Sequence, residues 1–144
     1  MTEITEGWLM REFTARAKAC QLEVDCLGTG KIDSEICIIG EAPGEHEVKM
    51  AMPMVGGSGR MLWDVLRPHN IGRADCYVTN VVKKQVALST KTDARNPIKK
   101  PELEHWEGLL DWELDHLPNL KYILALGNFA LHALTGDVGI TKWR

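Results

Sequence analysis

The segment ICIIGEAPGE, residues 36–45, decides the fold class of this chain. Its first four residues are apolar, and three of them are isoleucine, so residues 36–39 are predicted to form a short buried strand. Gly40, Pro43 and Gly44 end that strand in a tight loop. Because polar residues stand directly behind a buried strand, loop 40–47 is the first candidate site.

Two further apolar runs repeat this arrangement. The run CYVTNVV, residues 76–82, predicts a second buried strand, and YILAL, residues 122–126, predicts a third apolar strand. The segment 83–100 behind the second strand is polar and rich in lysine, and long loops in compact domains are commonly functional. Loop 79–84 is therefore the second candidate site.

The helical spacing of apolar residues predicts four helices around these strands. They cover residues 6–20, a segment capped by Ser58 and ended by Pro68, residues 101 to 116, and residues 129–134. This alternation predicts an α/β fold: a three-layer α/β/α sandwich with a parallel sheet that binds ligands at the carboxyl ends of its strands. We expect a single domain over residues 1–144, truncated at its C-terminal side and lacking the last strand of the sheet.

Composition narrows the class of protein. No apolar run approaches the roughly 20 residues of a membrane span, and the N-terminus is charged where a signal peptide is apolar, so we expect a cytoplasmic protein. The net charge of −3 does not favour a nucleic-acid binder, but residues 83–100 carry six basic residues against one acid. A solvated loop beside an acidic helix is the alternative interpretation of that basic segment.

The four cysteines do not predict a metal site. Their spacings lack the CxxC pairs of zinc sites. Cys37 and Cys76 lie inside apolar runs, where a buried structural thiol is the usual finding. Cys20 and Cys26 are a weaker candidate pair.

Three motifs in order, IIGEAPGEHE, PMVGGSGRML and YVTNVVK, resemble the family 4 uracil-DNA glycosylases and the related domains attached to some phage DNA polymerases. The similarity runs from LGTG through ARNP to ILALGNFAL and covers about residues 27–143. It implies hydrolysis of the N-glycosidic bond of uracil in DNA for base-excision repair. DNA is then the expected partner, with a polymerase or replication protein as a further candidate.

The resemblance also implies roles for individual residues. Loop 40–47 forms the floor of a pocket for an extruded base, and Glu41 or Glu47 orients the attacking water or stabilises the cationic sugar. Asn80 binds the uracil edge, since an amide offers a donor and an acceptor together. The other predicted contacts are to substrate through Gly40, Ala42, Pro43, Gly44 and Met54, and to DNA through Gly56, Gly57, Ser58, Lys83, Lys84, Lys91 and Arg95.

Each of these assignments has a structural alternative. The two glutamates can be solvated acids in a tight turn, Asn80 can cap a turn after its strand, and Ser58 can be a plain helix cap. Free backbone N–H groups at a helix start also favour a DNA phosphate, so capping and phosphate binding are compatible for residues 56–58.

The chain departs from the family pattern in its aromatic residue and its cluster ligands. Met54 stands where the family has an aromatic ring on uracil. Lys84 replaces one cysteine of the family's iron–sulfur cluster, and Trp106 or Glu107 replaces another. A [4Fe–4S] cluster needs four thiolates, so we expect no cluster and no other cofactor, with ion pairs, packing or tryptophans in its place.

A third departure concerns the family's last motif, a His-Pro-Ser segment that hydrogen-bonds the departing uracil. It has no counterpart in residues 1–144, so the chain alone is expected to be weak or inactive.

Three interpretations remain open. The favoured one is an enzyme, a uracil-DNA glycosylase domain. The second is a catalytically silent DNA-binding or scaffolding module of a phage DNA polymerase or replication protein. The third, an unrelated nucleotide-binding α/β protein, lacks a GxGxxG or P-loop motif.

Overall fold

A computed structural model describes residues 3–86 and 98–136 of the chain. The helices are α1 (Glu6–Ala19), α2 (Glu45–Met50), α3 (Gly57–Leu66), α4 (Lys100–Asp115) and α5 (Asn128–Thr135). The strands are β1 (Thr29–Gly30), β2 (Ile36–Gly40), β3 (Cys76–Asn80) and β4 (Tyr122–Ala125). Two short 3-10 turns, Arg67–His69 and Arg73–Asp75, complete the described elements.

The four strands form one sheet in the order β1-β3-β2-β4. β2 lies between β3 and β4 and runs parallel to both, with Gly40 paired to Asn80 and Cys37 paired to Ile123. The short edge strand β1 is antiparallel to β3, so the sheet is mixed rather than wholly parallel. This edge strand was not predicted because two residues are too few to show a periodic pattern.

Helices cover both faces of the sheet, which confirms the predicted α/β architecture. On one face, Cys37, Ile39 and Tyr77 pack in a core with α1, α4 and α5. On the other face, Ile38 and Val78 pack with α3. Since successive residues of a strand point to opposite faces, the apolar runs of β2 and β3 supply both cores.

Several element boundaries differ from the prediction. β3 ends at Asn80 instead of residue 82, although Val81 and Val82 still donate hydrogen bonds to the carbonyl oxygens of Gly40 and Glu41, at 2.9 and 3.0 Å. The predicted helix cap at Ser58 is wrong: Gly56 is the N-cap of α3 and Ser58 is the second residue of the helix. The six-residue helix α2 lies partly in predicted loop 40–47 and was not predicted.

Residue Gly30 explains why β1 can pair so closely with β3. Its φ of +127° lies in a region that other residues rarely adopt. A Cβ at this position would also fall on the carbonyl oxygen of Cys76.

In residues 3–86 and 98–136, no helix is both long enough and apolar enough to cross a membrane.

Candidate functional site

A pocket of about 330 Å³ opens at the carboxyl ends of β2 and β3. It lies at the edge of the sheet where parallel α/β folds generally bind ligands. Gly40 ends β2, Asn80 ends β3, and Leu126 reaches the pocket from the end of β4. The residues that line it are Gly40, Glu41, Ala42, Gly44, Glu47, Met54, Ser58, Gly59, Asn80 and Leu126.

Asn80 is the most enclosed polar residue of this pocket, with 3% of its surface exposed. Its side chain lies over Gly40: a Cβ on Gly40 would come 2.6 Å from Oδ1 of Asn80 and would fall on the methyl group of Met54. Within the described parts of the chain, the Asn80 amide makes no side-chain hydrogen bond, so both its donor and its acceptor remain available to a ligand.

Met54, which also lines the pocket, is held in an unusual backbone conformation. Its φ is +58°, a left-handed value that costs a residue with a side chain about 1–2 kcal/mol. Nη2 of Arg73 donates to the carbonyl oxygens of Pro53 (2.5 Å) and Met54 (2.6 Å), and Nε1 of Trp63 donates to the same Met54 oxygen at 3.1 Å. These bonds stabilise a conformation that the local sequence disfavours.

Two further contacts help to hold Met54 in this conformation. The Arg73 guanidinium stacks over the Trp63 ring, 5.0 Å from its centroid, and burial lowers the pKa of that guanidinium. A Cβ on Gly59 would fall on the Met54 carbonyl group, so α3 can approach only because residue 59 is glycine. The sequence prediction missed Arg73, Trp63 and Gly59; only the glycine-rich GGSG segment hinted at a close approach.

Glu47 is bound by three backbone N–H groups. Oε1 accepts from Gly44 at 2.8 Å, and Oε2 accepts from Val55 at 3.2 Å and from Gly56 at 2.6 Å. The carboxylate therefore connects the start of α2 to the segment before α3. Glu47 is thus bonded to the backbone and is not the solvated acid of the alternative interpretation. The catalytic role predicted for it stays a prediction.

Glu41 is the exposed carboxylate of the pocket. It also lines an adjacent, more open groove of about 590 Å³, which Asn128, Phe129 and His132 of α5 complete. A carboxylate at this boundary faces both the enclosed pocket and solvent.

Several predicted contacts lie elsewhere than expected. Pro43 is buried and does not line the pocket. The Gly56 N–H is bonded to Glu47 and is not free for a phosphate, whereas Gly57 and Ser58 are exposed in the first turn of α3.

The largest correction concerns Lys83, which was predicted to contact DNA. Its side chain is 0% exposed and pairs with Glu113 at 2.6 Å, so it cannot reach a phosphate. Its neighbour Lys84 is partly exposed and lies 3.6 Å from Glu102. Lys91 and Arg95 lie outside the described residues, and their predicted DNA contacts stay predictions.

Comparison with known proteins identifies the family. The profile of the uracil DNA glycosylase superfamily matches residues 27–144. The chain belongs to the uracil-DNA glycosylase superfamily. Three similar proteins are described as type-4 uracil-DNA glycosylases. The relative from Thermotoga maritima is 38% identical over 79 residues, which are 52% of this chain and 41% of the relative. The relative from Pyrobaculum aerophilum is 33% identical over 115 residues, 78% of this chain and 54% of the relative. The relative from Archaeoglobus fulgidus is 35% identical over 104 residues, 72% of this chain and 48% of the relative.

The predicted resemblance to family 4 glycosylases is thus confirmed. The chain spans about half the length of the curated relatives that it matches.

The described residues of this glycosylase-superfamily chain do not fit the iron–sulfur cluster that the resemblance implies. Across residues 3–86 and 98–136, no group of three or more histidine, cysteine or acidic side chains could hold a metal ion. Cys26, Cys37 and Cys76 are buried free thiols. The resemblance places Lys84 at one cluster-cysteine position and Trp106 or Glu107 at another. Lys84 and Trp106 meet at one carboxylate: Nε1 of Trp106 donates to Oε2 of Glu102 at 3.0 Å, and the same oxygen lies 3.6 Å from Nζ of Lys84.

Proposed function

We propose that this chain forms the base-binding part of a uracil-DNA glycosylase, which hydrolyses the bond between uracil and deoxyribose in DNA for base-excision repair. The observation that carries the proposal is the position of the Asn80 amide, which lies enclosed and without a side-chain partner among the described residues, above Gly40 in the pocket. A flipped base needs such an enclosed site with an apolar wall and a few directed polar groups.

The amide of Asn80 matches the polar edge of uracil. Nδ2–H can donate to a ring carbonyl, and Oδ1 can accept from the ring N–H beside it. When the bond from C1′ of the sugar to N1 of uracil breaks, the electron pair leaves with the base. A donor already directed at the carbonyl stabilises that developing negative charge, while Met54 contacts the ring face.

Glu41 is the residue proposed to activate the attacking water molecule. Its exposed carboxylate at the mouth of the pocket can accept a proton from a water molecule whose oxygen bonds to C1′, and its charge stabilises the cationic sugar. Glu47 keeps the pocket wall in place through its three backbone bonds. Gly40, Ala42 and Gly44 then let the backbone approach the nucleotide.

DNA contacts are proposed for the exposed start of α3 and for the basic segment. Gly57 and Ser58 present backbone N–H groups in the first turn of a helix, which favours a phosphate. Lys84, together with Lys91 and Arg95, would add phosphate contacts that do not depend on sequence. Such a repair function implies a protein of the cytoplasm of a bacterial or phage-infected cell.

A second candidate function is a catalytically silent DNA-binding module, including one attached to a phage polymerase or replication protein. It is favoured by Met54, which occupies the pocket wall where the family pattern has an aromatic ring. The chain also contains no His-Pro-Ser segment to assist the departing uracil. For the same reason, we propose that the 144-residue chain acts weakly on its own.

The deciding experiment measures uracil release from single-stranded and mismatched DNA, where unstacking costs least. The 144-residue chain and the longest polypeptide encoded by the same reading frame are both assayed. Asn80→Ala should lower the rate roughly a hundredfold, as expected for loss of one oriented transition-state contact. Asn80→Asp should be impaired as well, because a carboxylate cannot donate and repels the leaving anion.

The matched control is Asn70→Gly, an exposed asparagine with φ of +60° that glycine readily adopts. Its rate should equal that of the unmodified protein. DNA binding without uracil release in any protein would favour the silent module. Release that is unaffected by both Asn80 changes would show that the pocket is not the active site.

A further inference from the structure

Lys83 is a fully buried cation next to the pocket, outside the proposed machinery. Its Nζ donates to Oε1 of Glu113 at 2.6 Å and to the main-chain carbonyl oxygen of Asn80 at 2.5 Å. The same ammonium lies 4.9 Å from the centroid of the Phe13 ring. A buried ammonium is therefore bonded directly to the backbone of the residue proposed to bind uracil.

The carboxylate of Glu113 extends this contact along β3. Oε2 accepts from the hydroxyl groups of Tyr77 at 2.5 Å and Thr79 at 3.0 Å. Burial, and then the nearby Glu113 charge, raise the pKa of Tyr77 well above its usual value, which keeps its hydroxyl group protonated and able to donate. Both carboxylate oxygens of Glu113 thus accept at least one hydrogen bond.

Gly28 lies against this network of hydrogen bonds and leaves no room for a side chain. A Cβ there would come within 2.5 Å of Oε2 of Glu113 and 2.6 Å of both hydroxyl oxygens. The backbone of Lys83 is fixed as well, because its carbonyl oxygen accepts from the N–H groups of Asp25 and Cys26 at 2.8 and 3.0 Å. The ammonium therefore has little freedom to leave Asn80.

Stability alone is a poor explanation for this ion pair. An apolar pair of similar volume usually stabilises a protein core at least as well as two buried charges, since the charges must be removed from water. What the ion pair adds here is a directed hydrogen bond to the main chain of Asn80. It holds the Asn80 carbonyl on one side, while the N–H groups of Val81 and Val82 bind the carbonyls of Gly40 and Glu41 on the other.

We propose that Lys83 is a positioning residue for Asn80, an inference that rests on the proposed function. The Lys83 ammonium fixes the Asn80 peptide and thereby the direction of the Asn80 amide over Gly40. The N–H of the same peptide, that of Val81, donates to the Gly40 carbonyl at 2.9 Å, so Lys83 holds the carbonyl side of a peptide whose N–H side is held by β2. Base recognition then depends on a lysine that never touches the base.

The test separates orientation from stability. Lys83→Met combined with Glu113→Gln removes both charges, shortens the first side chain by one atom, keeps the length of the second and leaves hydrogen-bond capacity for Tyr77 and Thr79. NMR couplings report the χ1 rotamer of Asn80, nuclear Overhauser effects report its contact with Gly40, and titration with free uracil reports affinity. Leu110→Val, in the same core on α4, is the destabilising control.

The expected result is a folded double variant in which Asn80 samples several rotamers and uracil affinity falls about tenfold or more, whereas Leu110→Val keeps one rotamer and full affinity. A single unchanged rotamer in the folded double variant would overturn the proposal. If the double variant does not fold, Lys83→Leu/Glu113→Leu is the second test. Failure of both to fold would assign the pair a structural role only.

Failure of the proposed function gives a different result. In that case the unmodified protein shows one fixed Asn80 rotamer but neither binds uracil nor releases it from DNA. The rotamer measurement needs no ligand, so it tests the positioning role by itself.

Discussion

Nη2 of Arg73 donates a hydrogen bond to the main-chain oxygen of Met54 at 2.6 Å, across a separation of 19 residues. The bond holds a methionine in a left-handed conformation at the wall of the pocket, where its methyl group reaches Gly40. The wall of the candidate site is thus shaped by a residue that does not line it.

Arg73→Ala should lower the free energy of unfolding by about 2 kcal/mol, because it removes charge-assisted hydrogen bonds from a partly buried position. Urea unfolding followed by tryptophan fluorescence measures the change. The control is Arg67→Ala, whose exposed ion pair with Asp64 should contribute no more than about 0.5 kcal/mol. Equal losses in the two variants would show that Arg73 does not stabilise the Met54 segment.

Gly40→Ala should reduce affinity for uracil at least about tenfold, because its Cβ would displace the methyl group of Met54 and the amide of Asn80. Calorimetric titration with free uracil checks this expectation. Gly108→Ala is the matched control, since Gly108 is exposed in α4 with nothing near its Cβ position. That control should stabilise the helix by up to about 1 kcal/mol and leave affinity unchanged.

The purified protein should be colourless and free of iron. The resemblance places Lys84 at one cluster-ligand position and Trp106 or Glu107 at another, and Lys84 and Trp106 share the carboxylate of Glu102. Iron and sulfide analysis together with the absorption spectrum near 400 nm provides the measurement. About four iron and four sulfide per chain would contradict the expectation and require ligands outside the described residues.

Stability should fall at alkaline pH. Burial raises the pKa of Cys26 from about 9 to about 11, so the folded state keeps a proton that the unfolded state loses. Stability from this group is fully present below pH 9 and is lost as pH rises through 11. Urea unfolding at pH 8 to 10.5 should show the loss, which Cys26→Ala should diminish.

Cys20→Ala is the control for that measurement, because it removes a thiol that is only partly buried. If both cysteine variants change the pH dependence equally, burial of Cys26 is not its cause. Cys37, Cys76 and Tyr77 also have raised pKa values, so Cys26→Ala should diminish the alkaline loss without abolishing it.

The sequence by itself determined the fold class and the location of the candidate site. Apolar runs with turn residues behind them are local signals, and they predicted β2 and β3 because a strand buried on both faces must be apolar throughout. The run of β4 is apolar as well, but Tyr122, Ile123 and Leu124 are exposed in the structure. Parallel strands bring their carboxyl ends to one edge of a sheet. That rule alone brought Gly40 and Asn80 together, and the structure pairs them in register.

Only the tertiary structure decided what individual charged residues do. Lys83 and Lys84 are adjacent and chemically identical, so local sequence assigned both to DNA. Their difference depends on α4: Glu113, 30 residues after Lys83, pairs with it inside the core, whereas Glu102 meets Lys84 near the surface. Burial and ion pairing depend on neighbours distant in sequence, and so do the bonds that hold Glu47 and Met54. A local pattern therefore predicts where the pocket lies but not which side chains shape it.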